Sequence, residues 1–457
     1  MSTLLVKNIH TLVMMDPARQ ELSNGAIFVR DHVIEQVGLT SDLPQSADEV
    51  LDLQNRHIVL PGLVNTHHHF YQTLTRVVPA AQNCDLFNWL TTLYPIWANL
   101  TAEGVYISAQ MAAAELILSG CTTASDHLYI YPNDCTLDSE IQAVQAIGMR
   151  FHASRGSMSV GESLGGLPPD SLVEKEIDIL NDSQRLIEQY HDHSRHAMLR
   201  MTLAPCSPFS VSQDLMRESA AMARAYPGVR LHTHLAENTS DVEYSLATFG
   251  LIPGDYAESV GWLGEDVWHA HCVQLSDDSI AKFGRTGTGV AHCPCSNMRL
   301  ASGIAPIRKM LNHRVPVGLG VDGSASNDTG NLLQEARSAF LVARVRDCDA
   351  AAMTARDVLE LATIGGARVL GRDDIGTLAP GMSADFIAID LDRPSFAGAL
   401  HDPVAALIFC HTGSVDYSFI HGRKVVDQGH LTTVDLPVLV EKANNYAVQM
   451  LDIAITR

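Results

Sequence analysis

Between residues 58 and 371 the chain alternates short apolar runs with longer amphipathic ones, the pattern of repeated strand-helix units around a parallel sheet. Eight such strands end near His69, Asp126, Arg155, Cys206, Glu237, His271, His292 and Asp322. Eight units in roughly 300 residues predict an α/β fold of the (β/α)8, TIM-barrel type with some long loops. Residues 101–119 illustrate the helical segments: Thr101 is a plausible N-cap, and Gly120 stops the run.

The two ends of the chain read differently. Residues 1–57 carry short alternating strands, for example 26–30, and residues 374–430 carry more of them around 384–390. Neither part is large enough to bury a core of its own. They are therefore expected to combine into one small composite β-sandwich beside a barrel spanning 58–373. Residues 436–455 read as an amphipathic C-terminal helix.

Composition limits the function classes. A chain of 457 residues with 46% apolar content can bury a large core, and 18% charged residues argue against disorder. A net charge of −21 disfavours nucleic acid and anionic membrane surfaces as partners. The apolar run before Lys7 is too short for a signal peptide, and no apolar stretch is long enough to span a bilayer. Nine cysteines, an odd number scattered from Cys84 to Cys410, fit free thiols in a reducing cytosol, so a cytoplasmic protein is expected. Cys293-Pro294-Cys295 lacks zinc-motif spacing and is expected to pack beside a strand end.

Active sites of such barrels lie at the C-terminal ends of the strands, where metal-type residues recur here. The first strand runs through a Pro61-Gly62 turn into His67-His68-His69, and residues two apart on a strand share a face, so His67 and His69 can hold one ion while His68 looks away. His234 ends the fifth strand, with Glu237 three residues on. His271 ends the sixth, and Asp322 the eighth.

His67, His69, His234 and Asp322 offer three imidazoles and a carboxylate, a set suited to zinc or iron with a position open for water. Glu237, beside the ion but not on it, is placed to shuttle a proton. His271 is expected to hydrogen-bond the water or polarise the electrophile, and Asp322 to orient and deprotonate the nucleophile as well as ligate. His232 and His269 read as packed on the outer strand face. His292 reads either as a partner behind the site or as a structural residue.

With these motifs in place, the whole chain resembles the amidohydrolase superfamily, and within it the aminohydrolase branch that contains triazine hydrolases and purine or pterin deaminases. Residues 61–70 look like that family's first-strand motif, 234–237 its fifth, His271 its sixth and 322–328 its eighth, and residues 376–381 look like part of its small composite domain. Stretches 66–76, 203–211 and 295–303 are similar to bacterial 8-oxoguanine deaminases. That resemblance implies hydrolysis of the exocyclic amine of 8-oxoguanine to urate and ammonia. The alternatives are a hydroxyatrazine-type triazine or a pterin aminohydrolase. A non-catalytic assembly protein on this scaffold would lack ligands, and none is missing.

Dinuclear members of the family usually carry a bridging lysine on the fourth strand, which here ends at Ala204-Pro205-Cys206. One divalent ion per chain is therefore expected, zinc before iron. Glu237 favours an amine leaving group over chloride, because an amine departs badly unless protonated. The usual cytidine-deaminase signature is absent. Gln72 and Arg155 are the candidate contacts for a small heterocyclic substrate, with an exposed loop residue and an ion-pairing residue as the respective alternatives. Trp89, Tyr94 and Trp97, in the long loop after the first strand, either cap a flat ring or pack that loop down. A homo-oligomer is expected for such a barrel.

Overall fold

Strands Cys121–Leu128, Arg150–Ser157 and Leu199–Pro205 are buried along their whole length, as happens when side chains fill one face of a sheet and helices cover the other. In this computed structural model, which describes residues 2–410 and 413–456, they belong to a closed barrel. The other members are Leu63–Asn65, Arg230–Leu235, Val267–His271, Gly289–His292 and Val317–Leu319. All neighbouring pairs are parallel, and the ring closes where Leu319 pairs with Asn65. The eight expected strands are the eight observed. The first and last are only three residues long, so His67, His69 and Asp322 lie just past the strand ends.

The two chain ends share one continuous nine-stranded sheet. Its seam is the antiparallel pairing of His57–Pro61 with Phe386–Asp390, in register along all five residues. Ile9, Leu12, Ile27 and Ile34 from the first part pack with Leu378, Phe386 and Phe419 from the second. The chain passes from this sheet into the barrel at Gly62. A side chain there would place its Cβ 2.1 Å from Thr122 Oγ1, so only glycine allows the crossing.

Helices wrap the barrel in the expected order. Ala102–Leu118 starts where its sequence suggested: the Thr101 hydroxyl accepts a hydrogen bond from the Gly104 N–H at 3.3 Å. The C-terminal helix Leu436–Thr456 docks onto it through Tyr446, whose hydroxyl lies 2.8 Å from Thr101 Oγ1. All nine cysteines are free thiols. No helix among the described residues is long and apolar enough to cross a membrane.

Candidate active site at the strand tips

The backbone turns sharply as it leaves the barrel. Ala236, His271 and Asp322 have φ of 52°, 70° and 64°, a left-handed conformation that non-glycine residues seldom adopt. At the sixth strand this matters directly. His269 faces outward, bonding the Trp262 carbonyl and packing on Phe283, and strict alternation would send His271 the same way. The left-handed turn breaks the alternation and brings His271 into the site.

Three imidazoles commit one nitrogen each to a hydrogen bond and turn the other to a common point. His69 Nδ1 lies 2.7 Å from the His127 carbonyl, His234 Nδ1 2.6 Å from the Cys206 carbonyl, and His67 Nδ1 2.8 Å from His232 Nε2. Nε2 of His69 is then 3.1 Å from Nε2 of His234, and Asp322 Oδ1 is 3.3 Å from Nε2 of His67 and 3.4 Å from Nε2 of His69. Ligands bound about 2.0–2.2 Å from one tetrahedral ion stand about 3.3 Å apart, so these spacings fit a single divalent metal. The fully buried Nε2 of His67 makes no hydrogen bond, with only Asp322 Oδ1 near it, as expected of a nitrogen that can ligate an ion.

Burial lowers the pKa of all three imidazoles, that of His69 to about 4. They are neutral near pH 7, as ligation requires.

Beside this point sit Glu237 and His271. His271 Nε2 is 3.5 Å from Glu237 Oε2 and 3.9 Å from Asp322 Oδ2. Glu237 is 3% exposed, and burial, with the nearby Asp241 and Asp322 carboxylates, pushes its carboxyl well above the usual range. Its Oε1 meets the Ser302 hydroxyl at 3.5 Å. Burial pushes His271 down to about 3. A carboxyl with raised proton affinity next to a neutral imidazole is equipped for general acid-base work.

These groups open into a cavity. Helix Leu86–Trp97 roofs it with Leu86, Trp89, Leu90 and Tyr94. Tyr129, Cys206, Phe209, Leu300 and Ser326 complete the wall around Gln72, His69, His234, Glu237, His271 and Asp322. The roof is tied down by the Trp89 indole N–H, which donates to the Ala325 carbonyl at 3.0 Å. The lining is mostly apolar, with the polar groups gathered at the strand tips.

The sequence matches the model of the amidohydrolase family over residues 58–425. The chain belongs to that family. It is 47% identical over 421 residues to an 8-oxoguanine deaminase of Pseudomonas aeruginosa, covering 92% of this chain and 93% of the relative. It is 37% identical to a hydroxydechloroatrazine ethylaminohydrolase of a Pseudomonas species, covering 97% and 95%. Among solved structures, atrazine chlorohydrolase from Arthrobacter aurescens complexed with zinc superposes with a TM-score of 0.91 at 32% identity, covering 97% and 100%.

In this amidohydrolase the tertiary structure gathers His67, His69, His234, Glu237, His271 and Asp322 into one place. His292, at the tip of the seventh strand, is buried with Nδ1 unpartnered. Gln72 reaches the cavity with Oε1 unpartnered, and it fits because residue 323 is glycine: a Cβ there would lie 1.8 Å from that oxygen.

Arg155 is not gathered in. Its guanidinium bonds Glu174 at 2.7 Å and Asp182 at 2.8 Å and stacks on Tyr131 with 4.0 Å to the ring centroid. The expectation that it contacts substrate is corrected, because every direction of its fork is used on the helix side of the strand. Of the three loop aromatics, Trp89 and Tyr94 line the cavity, whereas Trp97 packs on Tyr71 and bonds Thr75.

His232 also departs from expectation. It shares a strand face with His234, two residues on, and so points inward rather than outward. His127 was missed entirely. Its ring stacks on His234 at 5.0 Å, and it lies with His67, His69 and His234 in a group of donors within 4.8 Å of one another. Its position at the tip of the second strand was the available signal. Asn297, beside His271, carried no local signal.

Proposed function

We propose that this amidohydrolase is a metal-dependent aminohydrolase that converts 8-oxoguanine and water into urate and ammonia. The observation that carries the reaction type is the convergence of His67, His69, His234 and Asp322 on one point beside a buried Glu237 carboxyl. A divalent ion held by those four residues, zinc in preference to iron, would supply a water with its pKa lowered toward neutrality.

The protein's own residues do the rest. Glu237 takes one proton of the attacking water and passes it to the ring nitrogen next to the amine-bearing carbon. Asp322 Oδ2 takes the second, from the new hydroxyl on that carbon, and passes it to the departing amine, which leaves as ammonia. His271 steadies the oxygen that becomes the new carbonyl. Trp89 and Leu90 hold the flat ring against the roof, and the unpartnered Gln72 oxygen accepts from a ring N–H. The equation balances: one water enters, and the exocyclic C–N bond is exchanged for C–O.

The 47% identity with the P. aeruginosa enzyme supports the purine. A second reading, a hydroxyatrazine-type aminohydrolase, is supported by the 37% identity over nearly the whole chain. Guanine lacks the carbonyl at C8 and the N–H at N7, and a buried group left unpaired costs about 1–3 kcal/mol, so 8-oxoguanine should be turned over at least tenfold better than guanine. The test is ammonia release from 8-oxoguanine, guanine, isoxanthopterin and hydroxyatrazine side by side. Higher kcat/KM on the triazine than on either purine would reject the purine reading.

A further inference from the structure

We infer that Asn297 is a positioning residue whose side-chain amide holds His271 in the tautomer that carries its proton on Nε2. Its catalytic meaning rests on the deaminase reading above, in which His271 faces the reacting oxygen. Asn297 is 1% exposed, and its Nδ2 lies 2.9 Å from Nδ1 of His271. It sits in the short helix Pro294–Arg299, with its N–H bonded to the Cys293 carbonyl at 3.1 Å and its carbonyl accepting from Ser302 at 2.8 Å. The amide is therefore held against the ring by backbone.

The opposite edge of the ring decides which way the pair is polarised. Nε2 faces Glu237 Oε2 at 3.5 Å and Asp322 Oδ2 at 3.9 Å. A bare lone pair aimed at the Asp322 carboxylate is unfavourable, whereas an N–H there is attracted by it and is also accepted by Glu237 Oε2. With the proton on Nε2, Nδ1 of the neutral ring is an acceptor, and the group that meets an acceptor is the NH2 of the amide. The reverse pairing would set the amide oxygen against the Nδ1 lone pair. Asn297 thus keeps a donor pointed into the site and leaves proton transfer to Glu237 and Asp322.

The same short segment touches the other two proton-handling groups. The Ser302 hydroxyl meets Glu237, and Ser296 donates at 3.0 Å to Ser326, whose hydroxyl lies 3.3 Å from Asp322 Oδ2.

The test uses full-length protein loaded with zinc and labelled with ¹⁵N-histidine, with His271 assigned by comparison with His271→Asn. The wild-type ring should show a protonated Nε2 and a bare Nδ1. Asn297→Asp offers only acceptors and should move the proton to Nδ1, lowering kcat at least ~100-fold with zinc content unchanged. Asn297→Ala should leave a mixture of tautomers and lower kcat about 10-fold. A wild-type ring protonated on Nδ1, or an Asn297→Asp protein that keeps the wild-type tautomer, overturns the inference. The wild-type spectrum decides even where a variant fails to fold. An Nε2–H ring in a protein that releases ammonia from no heterocycle would uphold this inference and reject the deaminase reading. An Nδ1–H ring in an active deaminase would do the reverse.

Discussion

His232 Nε2 lies 2.8 Å from Nδ1 of His67, and His232 Nδ1 lies 3.0 Å from the carbonyl oxygen of Trp268. A carbonyl can only accept, so the His232 proton is on Nδ1 and its Nε2 is bare. His67 must then donate from Nδ1, which leaves its own Nε2 free for an ion. One backbone oxygen on the sixth strand thus sets the protonation of a donor on the first.

His232→Phe should therefore keep the fold but weaken the metal about 10- to 100-fold, because His67 loses the partner that holds its tautomer. Wild-type protein should carry one divalent ion per chain by elemental analysis. Titration with a competing chelator measures the difference. Equal zinc affinity in the variant, or two tightly held ions in the wild type, would contradict this account.

Glu237→Gln preserves shape and removes the titratable proton. Zinc content and melting temperature should match the wild type while kcat falls by about 10³-fold or more. A loss under tenfold would mean that another group carries the proton.

Arg155→Met separates the ion-pair role from a substrate role. Loss of the guanidinium strands Glu174 and Asp182, which keep 25% and 31% exposure. That residual solvation limits the destabilisation to about 2–3 kcal/mol, below the usual figure for a broken buried pair. KM should stay within about twofold of the wild type, whereas loss of a charged substrate contact would raise it more than tenfold. Urea unfolding and steady-state kinetics on the same preparation give both numbers.

Behind the metal strands, the buried carboxyls of Asp126 and Glu140 face each other, and Asp126 accepts the Phe70 N–H at 2.6 Å. Burial raises both above the carboxylate range, and the charge of Asp126 raises Glu140 further. The folded protein therefore retains protons that the unfolded chain releases above pH ~4.5, so this pair weakens stability as pH climbs toward the folded values. Glu140→Gln mimics the protonated acid and should flatten that decline, making the variant more stable than wild type at pH 9. Parallel melting-temperature profiles from pH 5 to 9 would show that the pair carries no such proton.

The gathering of His67, His69, His234, Glu237 and Asp322 was legible in the sequence because each stands at or just past the end of an apolar run, and strand tips of a parallel barrel converge on one mouth. Arg155 ends a strand as well, but a long flexible cation goes to the nearest acids, and Glu174 and Asp182 lie on elements whose packing no local pattern reports. His232 was misplaced for a simpler reason: it has the same parity as His234, and parity holds within a regular strand. His271 would have been misplaced by that same rule without the left-handed turn at its own backbone.

Residue types, strand count and the end of the barrel that carries chemistry follow from local apolar periodicity, which depends only on near neighbours in the chain. Which nitrogen of each histidine faces the common point, and which amide meets His271, depend on contacts such as His67 with His232, 165 residues apart. Those contacts exist only once the ring of strands has closed, because a hydrogen bond of 2.8 Å is set by the relative position of two strands and not by the identity of either residue.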